Sequence, residues 1–215
     1  MTVGMVMTRP IIGLPPTASL PEAAQAMVRE KIGSLAVLEG GRLIGLLTET
    51  DLLAALVEML DSTEPSPEVP EALRRAAGIA LDAMSFPLVT VPPTATLAEA
   101  LSLMGGRDIR HLPVTEGGRL VGVLSDRDIR TAMGREAVTA GVFAGHPPAG
   151  GRPVSELMNP PLHVLSAPAT LADAARTMLL HRISALPVVA ADDPSRPVGI
   201  LTETDLLVAL VGMTG

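Results

Sequence analysis

The chain has 215 residues, a formal net charge of −7 and a pI near 5.1, a balance that disfavours a nucleic-acid partner, which selects a basic face. Aromatic residues make up 1% of it, so no stacking platform for bases exists and any planar ligand must be gripped by aliphatic side chains. The absence of cysteine excludes disulfides, thiolate metal sites, iron–sulfur clusters and cysteine nucleophiles, and it fits a reducing compartment.

Mean hydropathy is high at +0.41, yet no apolar run approaches the roughly 18–20 residues that a membrane span needs. The surplus apolar surface points to association between units or chains. The start, Met1-Thr2-Val3-Gly4-Met5-Val6-Met7-Thr8-Arg9-Pro10, has no basic opening and is broken by Arg9 and Pro10, a poor signal peptide. A cytoplasmic, oligomeric protein is expected.

In chain order, residues 1–60 form a first unit. A short strand at 11–14 is followed by Pro15 and Pro16, and Ser19-Leu20-Pro21-Glu22 has the form of a capping box with proline in the first turn. Leu20, Ala23, Ala24 and Met27 then recur at helical spacing. Strands at 35–38 and 43–47 flank a hairpin turn, Glu39-Gly40-Gly41-Arg42. The corner Gly45-Leu46-Leu47-Thr48-Glu49-Thr50-Asp51 leads into a helix at 52–60, which gives the order β-α-β-β-α. Residues 61–79 read as a linker, acidic and proline-rich over 61–70, with a short helix at 71–77.

A second unit at 80–134 copies that order. Met84-Ser85-Phe86-Pro87 opens it, a strand follows at 88–91, and Thr96-Leu97-Ala98-Glu99 is its capping box. Ile109-Arg110-His111-Leu112-Pro113-Val114 precedes the hairpin Glu116-Gly117-Gly118-Arg119. Its last helix reads as shorter and more polar, with Arg130, Thr131 and Gly134, and residues 135–152 read as a second, flexible linker. A third unit at 153–215 runs from Met158-Asn159-Pro160-Pro161 through Thr170-Leu171-Ala172-Asp173 and Ile183-Ser184-Ala185-Leu186-Pro187-Val188. Its hairpin is three residues longer, carrying Asp192-Asp193-Pro194. The closing helices of units one and three are apolar on nearly every side, so both are expected to lie in interfaces between units. The aspartates at the ends of the strand-to-helix corners, Asp51, Asp128 and Asp205, are spaced by 77 residues twice (51 to 128, 128 to 205). One supersecondary unit is therefore used three times, and units so small should pack on one another.

Three Met-x-x-Pro openings, three Leu-Pro-Val or Leu-Ala-Val strands and three Gly-x-Leu-Thr/Ser-x-x-Asp corners together resemble the cystathionine-β-synthase (CBS) domain over nearly the whole chain outside the linkers. The resemblance implies an α/β (α+β) fold of tandem repeats, each β-α-β-β-α, paired through their sheets into Bateman modules that bind adenosine-containing ligands in clefts between repeats. Repeats two and three look most like such a pair. Three is an odd number, so repeat one needs a partner in another chain or stays exposed. We expect a homodimer.

Each Thr/Ser-x-x-Asp corner has two readings. In the first it only caps a helix. In the second, a helix N-terminus offers N–H groups and a positive dipole end to phosphate, while the acid accepts from ribose hydroxyls. By resemblance, Asp51, Asp128 and Asp205 hold ribose, with Thr48, Ser125 and Thr202 beside them. The pair before Leu-Pro-Val separates the repeats: Arg110-His111 in repeat two, Ser184-Ala185 after Ile183 in repeat three, Gly33-Ser34 in repeat one. In relatives such as the regulatory subunit of AMP-activated kinase, basic residues at these places meet phosphate, which suits the planar fork of Arg110. Arg127 is a further candidate, against the plainer reading of a solvated first-turn residue. His146, His163 and His181 show no ligand spacing, so no metal is assigned, and Met5, Met7, Met84, Met158 and Met178 read as core filler. No catalytic residues are assigned, because no phosphate-binding Gly-rich loop, Gly-x-Ser-x-Gly elbow or metal cluster is present. The expected function is a non-enzymatic sensor of an adenine nucleotide, AMP or ATP, that signals to an effector protein by rearrangement. The alternative is a ligand-free structural or oligomerisation module.

Overall fold

The computed structural model describes residues 10–61, 83–85, 87–139, 151–161 and 163–212. The helix expected at 71–77 lies outside the described residues. The chain divides into two compact units. One contains repeat one together with the helices of repeat three, and the other contains repeat two together with the strands of repeat three.

In the first unit, β1 (Gly13–Leu14) runs parallel to β2 (Ser34–Glu39), which pairs antiparallel with β3 (Arg42–Thr48). The turn between β2 and β3 places Gly40 at φ 56° and Gly41 at φ 80°. Positive φ at both central residues is what a tight hairpin turn demands, and glycine meets it without strain. Helix α1 (Leu20–Glu30) starts at the predicted Ser19/Glu22 capping box and buries Ala23, Ala24 and Met27. It ends where Lys31 turns left-handed at φ 55°, Lys31 N donates to Val28 O at 3.3 Å and Ile32 N donates to Met27 O at 3.0 Å. That six-to-one bond closes the helix and sets the direction in which β2 leaves it. Helix α2 (Glu49–Asp61) follows β3 without a loop.

The same unit holds α5 (Leu171–His181) and α6 (Glu203–Gly212) of repeat three; α6 packs on α1 and α2, and α5 packs on α2. The apolar closing helices thus lie against helices of another repeat, as their sequences suggested. They are not buried on every side, however. Leu206 and Leu207 are buried, whereas Val208 is 49% exposed. A helix packed on two neighbours still presents a stripe to solvent.

In the second unit, α3 (Leu97–Arg107) and α4 (Asp126–Thr139) flank the hairpin β4 (His111–Glu116) and β5 (Arg119–Ser125), and repeat three contributes β6 (Leu165–Ser166), β7 (Ala185–Val189) and β8 (Pro197–Thr202). The strand expected at 88–91 is reduced to one parallel bridge from Val91 to Val114. Val91 N donates to Pro113 O and Thr115 N to Val91 O. The next rung requires an N–H from residue 113, and proline has none. In repeat one Ala36 stands at that place and donates to Ile12 O at 3.1 Å. Helix α4 corrects a second expectation, for it continues past Gly134 to Thr139. A single glycine costs a helix only about 1 kcal/mol, which its neighbours offset.

Repeats two and three exchange their openings within this unit. Ser85 bridges Ile200 of β8, and Asn159 bridges Val123 of β5 through bonds of 2.8 and 2.9 Å. Met158 covers Gly122, where a Cβ would fall 2.6 Å from its Sδ, and Met84 covers Gly199 so closely that a Cβ there would overlap it. Val154, in a short 3₁₀ turn (Val154–Glu156) at the start of repeat three, is wholly buried in the core of repeat two with Leu97, Leu112, Leu124 and Ile129. Among the described residues no helix is long and apolar enough to cross a membrane.

Candidate functional site

All three corners carry the same hydrogen-bond set. At the start of α2, Thr48 N and Thr48 Oγ1 donate to Asp51 Oδ2 at 2.9 and 2.7 Å, and Asp51 N donates back to Thr48 Oγ1 at 3.2 Å. At α4 the bonds are Ser125 N (3.1 Å) and Ser125 Oγ (2.6 Å) to Asp128 Oδ2, with Asp128 N returning to Ser125 Oγ (3.2 Å). At α6, Thr202 N and Oγ1 lie 2.8 and 2.7 Å from Asp205 Oδ2, and Asp205 N lies 3.2 Å from Thr202 Oγ1. The capping reading therefore holds at each corner. At each corner the bonds that the aspartate accepts from this hydroxyl residue fall on a single oxygen, Oδ2.

A second bond recurs. The N–H of the first helical residue donates to the carbonyl just before the middle strand: Glu49 to Gly33 (3.1 Å), Asp126 to Arg110 (2.9 Å) and Glu203 to Ser184 (3.1 Å). It ties the residue pair that distinguishes the repeats to the N-terminal end of the following helix. Only in repeat two is that pair basic. Arg110 is exposed, and His111 is half-buried and stands opposite Ser125 in the β4–β5 register. Burial, and then the neighbouring Arg110 guanidinium, lower the His111 pKa below its ordinary value against the opposing pull of Asp126 and Asp128. Asp128 also accepts from Asn159 Nδ2 at 3.2 Å. The Asn159 contact was not read from the sequence; it follows from the exchanged opening that pairs Asn159 with Val123. Arg127 is exposed, and the ion pair on that turn is Asp126 with Arg130 at 2.9 Å.

The first unit's two corners meet each other through acids. Thr50 Oγ1 donates to Glu203 Oε1 at 3.0 Å, and Thr204 Oγ1 donates to Glu49 Oε1 at 2.9 Å. Glu49 also overhangs Gly33, where a Cβ would lie 3.3 Å from its Oε2. The first turns of α2 and α6 hold Glu49, Asp51, Glu203 and Asp205, which counter their own helix dipoles and repel an anion. Sequence spacing did not show this crossed arrangement, because the partners are 153 and 155 residues apart. Ser184 is exposed, Ala185 begins β7 half-buried, and the Ile183 N–H donates to Met178 O at 3.0 Å, which closes α5. The predicted residues thus form separate corners: Arg110, His111, Ser125, Arg127 and Asp128 in the second unit, Thr48 with Asp51 and Thr202 with Asp205 in the first. Among the described residues no group of three or more His, Asp or Glu is placed to hold a metal.

A family model described as the CBS domain matches residues 3–58, 79–135 and 154–212. Protein MJ1225 of Methanocaldococcus jannaschii superposes on 97% of this chain and 70% of its own, at 25% identity and a TM-score of 0.75. CBSX2, solved in complex with AMP, is 30% identical and covers 62% of this chain and 96% of its own, at a TM-score of 0.51. The CBS domain pair of protein MJ0100, solved with 5-methylthioadenosine and S-adenosyl-L-methionine, is 26% identical over 64% of this chain and 98% of its own, at a TM-score of 0.52. A 33.4 kDa protein of Thermofilum pendens is 29% identical over 92% of this chain, which spans 61% of that relative's length.

Proposed function

The chain belongs to the CBS-domain family, and on that premise we propose that it is a regulatory module that binds an adenine nucleotide, AMP or ATP, and acts by binding rather than by catalysis. One observation carries the reading. The Asp126–Arg110 backbone bond holds the Arg110-His111 pair beside the Ser125–Asp128 helix start. Phosphate suits the Arg110 fork and the helix N-terminus, and ribose suits the carboxylate of Asp128. Capping draws on Asp128 Oδ2 alone, so Oδ1 serves as the ribose acceptor and one residue fills both roles. Arg127 and the equivalents Ser184, Ala185, Ile183, Thr202 and Asp205 of repeat three, with Thr48 and Asp51 of repeat one, are the further ligand-binding candidates. The AMP complex of CBSX2 and the 5-methylthioadenosine and S-adenosyl-L-methionine complex of MJ0100 support an adenosine ligand in this family.

In this proposal the repeats are 1–60, 80–134 and 153–215, the protein is cytoplasmic and self-associates as a homodimer, and an effector protein reads the arrangement that the ligand favours. Neither nucleic acid nor membrane is a partner. A thermal-shift screen of adenosine compounds tests the ligand. A second reading, a ligand-free oligomerisation module, has its own support, because the capping bonds at all three corners account for the repeated geometry of the acids without any ligand. Silence across the whole screen favours it.

A further inference from the structure

Residues 152–159 cross repeat two as a strap that is fastened along its length. Leu97 N donates to Arg152 O at 2.9 Å, Val154 N to Ala95 O at 2.7 Å and Ser155 N to Pro93 O at 3.0 Å. Val154 is sunk into the core of repeat two, Met158 sits on Gly122, and Asn159 exchanges both backbone bonds with Val123 of β5. Val123 lies two residues before Ser125, so this pairing delivers Asn159 to the start of α4, where its Nδ2 reaches Asp128 Oδ2 at 3.2 Å. That oxygen then receives three donors: Ser125 N, Ser125 Oγ and Asn159 Nδ2. The two from Ser125 come from one residue, and the rotation of an aspartate carboxyl about χ2 is intrinsically broad. The third comes from another repeat and narrows that rotation, which holds Oδ1 in one place.

We propose that Asn159 is a positioning residue for the nucleotide corner of repeat two, and that through it ligand binding at Asp128 and docking of the strap reinforce each other. The inference rests on the assignment of ribose to Asp128, and it adds a residue that repeat two itself does not contain. An acceptor already held in its bound orientation loses less freedom on binding, so the complex is tighter. By linkage, the factor that the docked strap adds to ligand affinity is the factor that the ligand adds to docking of the strap. Occupancy of repeat two is thereby passed to the opening of repeat three. Of the two exchanged openings this one alone carries a carboxamide, since Ser85 holds the equivalent place against Ile200. It reaches the corner that also has the basic pair Arg110-His111.

Asn159→Ala tests this by titration calorimetry with AMP and with ATP on the 215-residue chain. Asn159 is exposed and its backbone bonds to Val123 remain, so the melting point should move by no more than about 2 °C. Nucleotide affinity should fall by about 3–10-fold, the worth of one hydrogen bond. In an Asp128→Ala background the same substitution should have no further effect, which a residue touching the ligand on its own account would not show. Hydrogen exchange gives the second readout. Saturating nucleotide should slow exchange of the residue-159 N–H by the same factor in the native chain, and leave it unchanged in Asn159→Ala. A native chain that binds neither AMP nor ATP overturns the nucleotide reading and this inference with it. If the native chain binds and Asn159→Ala binds equally well, or loses as much again on top of Asp128→Ala, the positioning role is wrong while the nucleotide reading stands. Exchange at residue 159 that ignores nucleotide in the native chain overturns the coupling.

Discussion

Replacing Asp128 by alanine separates capping from ligand binding, because the structure allows both losses to be worked out in advance. The substitution deletes the acceptor of Ser125 N, Ser125 Oγ and Asn159 Nδ2, but Ser125 Oγ still receives the N–H of residue 128. Half of the capping box survives, so the expected loss of stability is about 1–2 kcal/mol, within the range for a helix cap. For a domain of this length, each kcal/mol moves the melting point by about 2–4 °C, which gives a fall of about 2–8 °C. Affinity for AMP should fall by about 10–150-fold, the equivalent of a charged hydrogen bond worth about 1.5–3 kcal/mol. Glu99→Ala is the matched control. Thr96 and Glu99 form the same box at α3, with bonds of 2.7, 2.9 and 3.2 Å, in a corner assigned no ligand. It should lower the melting point and leave AMP affinity unchanged. Differential scanning calorimetry and titration calorimetry on the same preparations provide both numbers. If Asp128→Ala loses stability as calculated yet binds AMP like the native chain, the carboxylate is a cap and the ribose assignment is wrong.

Three further outcomes follow from the geometry. Arg110→Ala should weaken AMP and ATP but leave adenosine nearly unchanged in titration calorimetry, since adenosine has no phosphate to lose. The His111 pKa is lowered in the fold, so the unfolded chain takes up that proton first as pH falls. This contribution to stability is complete above the ordinary value of 6.5 and is lost as pH drops from there through the folded-state value; His111→Gln should flatten that part of a melting-point profile. Bound phosphate favours the protonated imidazole, so the advantage of the native chain over His111→Gln in AMP affinity should grow over the same pH range. Val154→Ala, which empties space in the core of repeat two, should cost about 1–3 kcal/mol in urea unfolding although residue 154 belongs by sequence to the next repeat.

Much of this fold was legible because its signals are local. Ser19-x-x-Glu22, Thr96-x-x-Glu99 and Thr170-x-x-Asp173 all became capping boxes, and the paired glycines at 40–41 and 117–118 became positive-φ turns. A hydroxyl and an acid three residues apart, or two residues without a Cβ, determine their own geometry. The 88–91 strand was misread because its length depends on a partner 22 residues downstream of Val91, where Pro113 withholds an N–H. The end of α4 was placed too early because Gly134 was weighed more heavily than the Arg, Glu and Ala after it. At the site, the caps and the basic pair could be found from spacing. The Asn159 contact and the crossed Thr50–Glu203 and Thr204–Glu49 bonds could not, since they arise only after repeats pack.

Titration of AMP into the 215-residue chain, with the melting point followed in parallel, tests the central claim most directly. An adenine nucleotide at about 100 times its dissociation constant stabilises the fold by about 2.7 kcal/mol, a rise on the order of 5–10 °C for a chain of this size. The account predicts that rise for AMP or ATP, a smaller one for guanosine and pyrimidine nucleotides, and its loss in Asp128→Ala. No heat and no rise with any adenosine compound, including 5-methylthioadenosine and S-adenosyl-L-methionine, would contradict it.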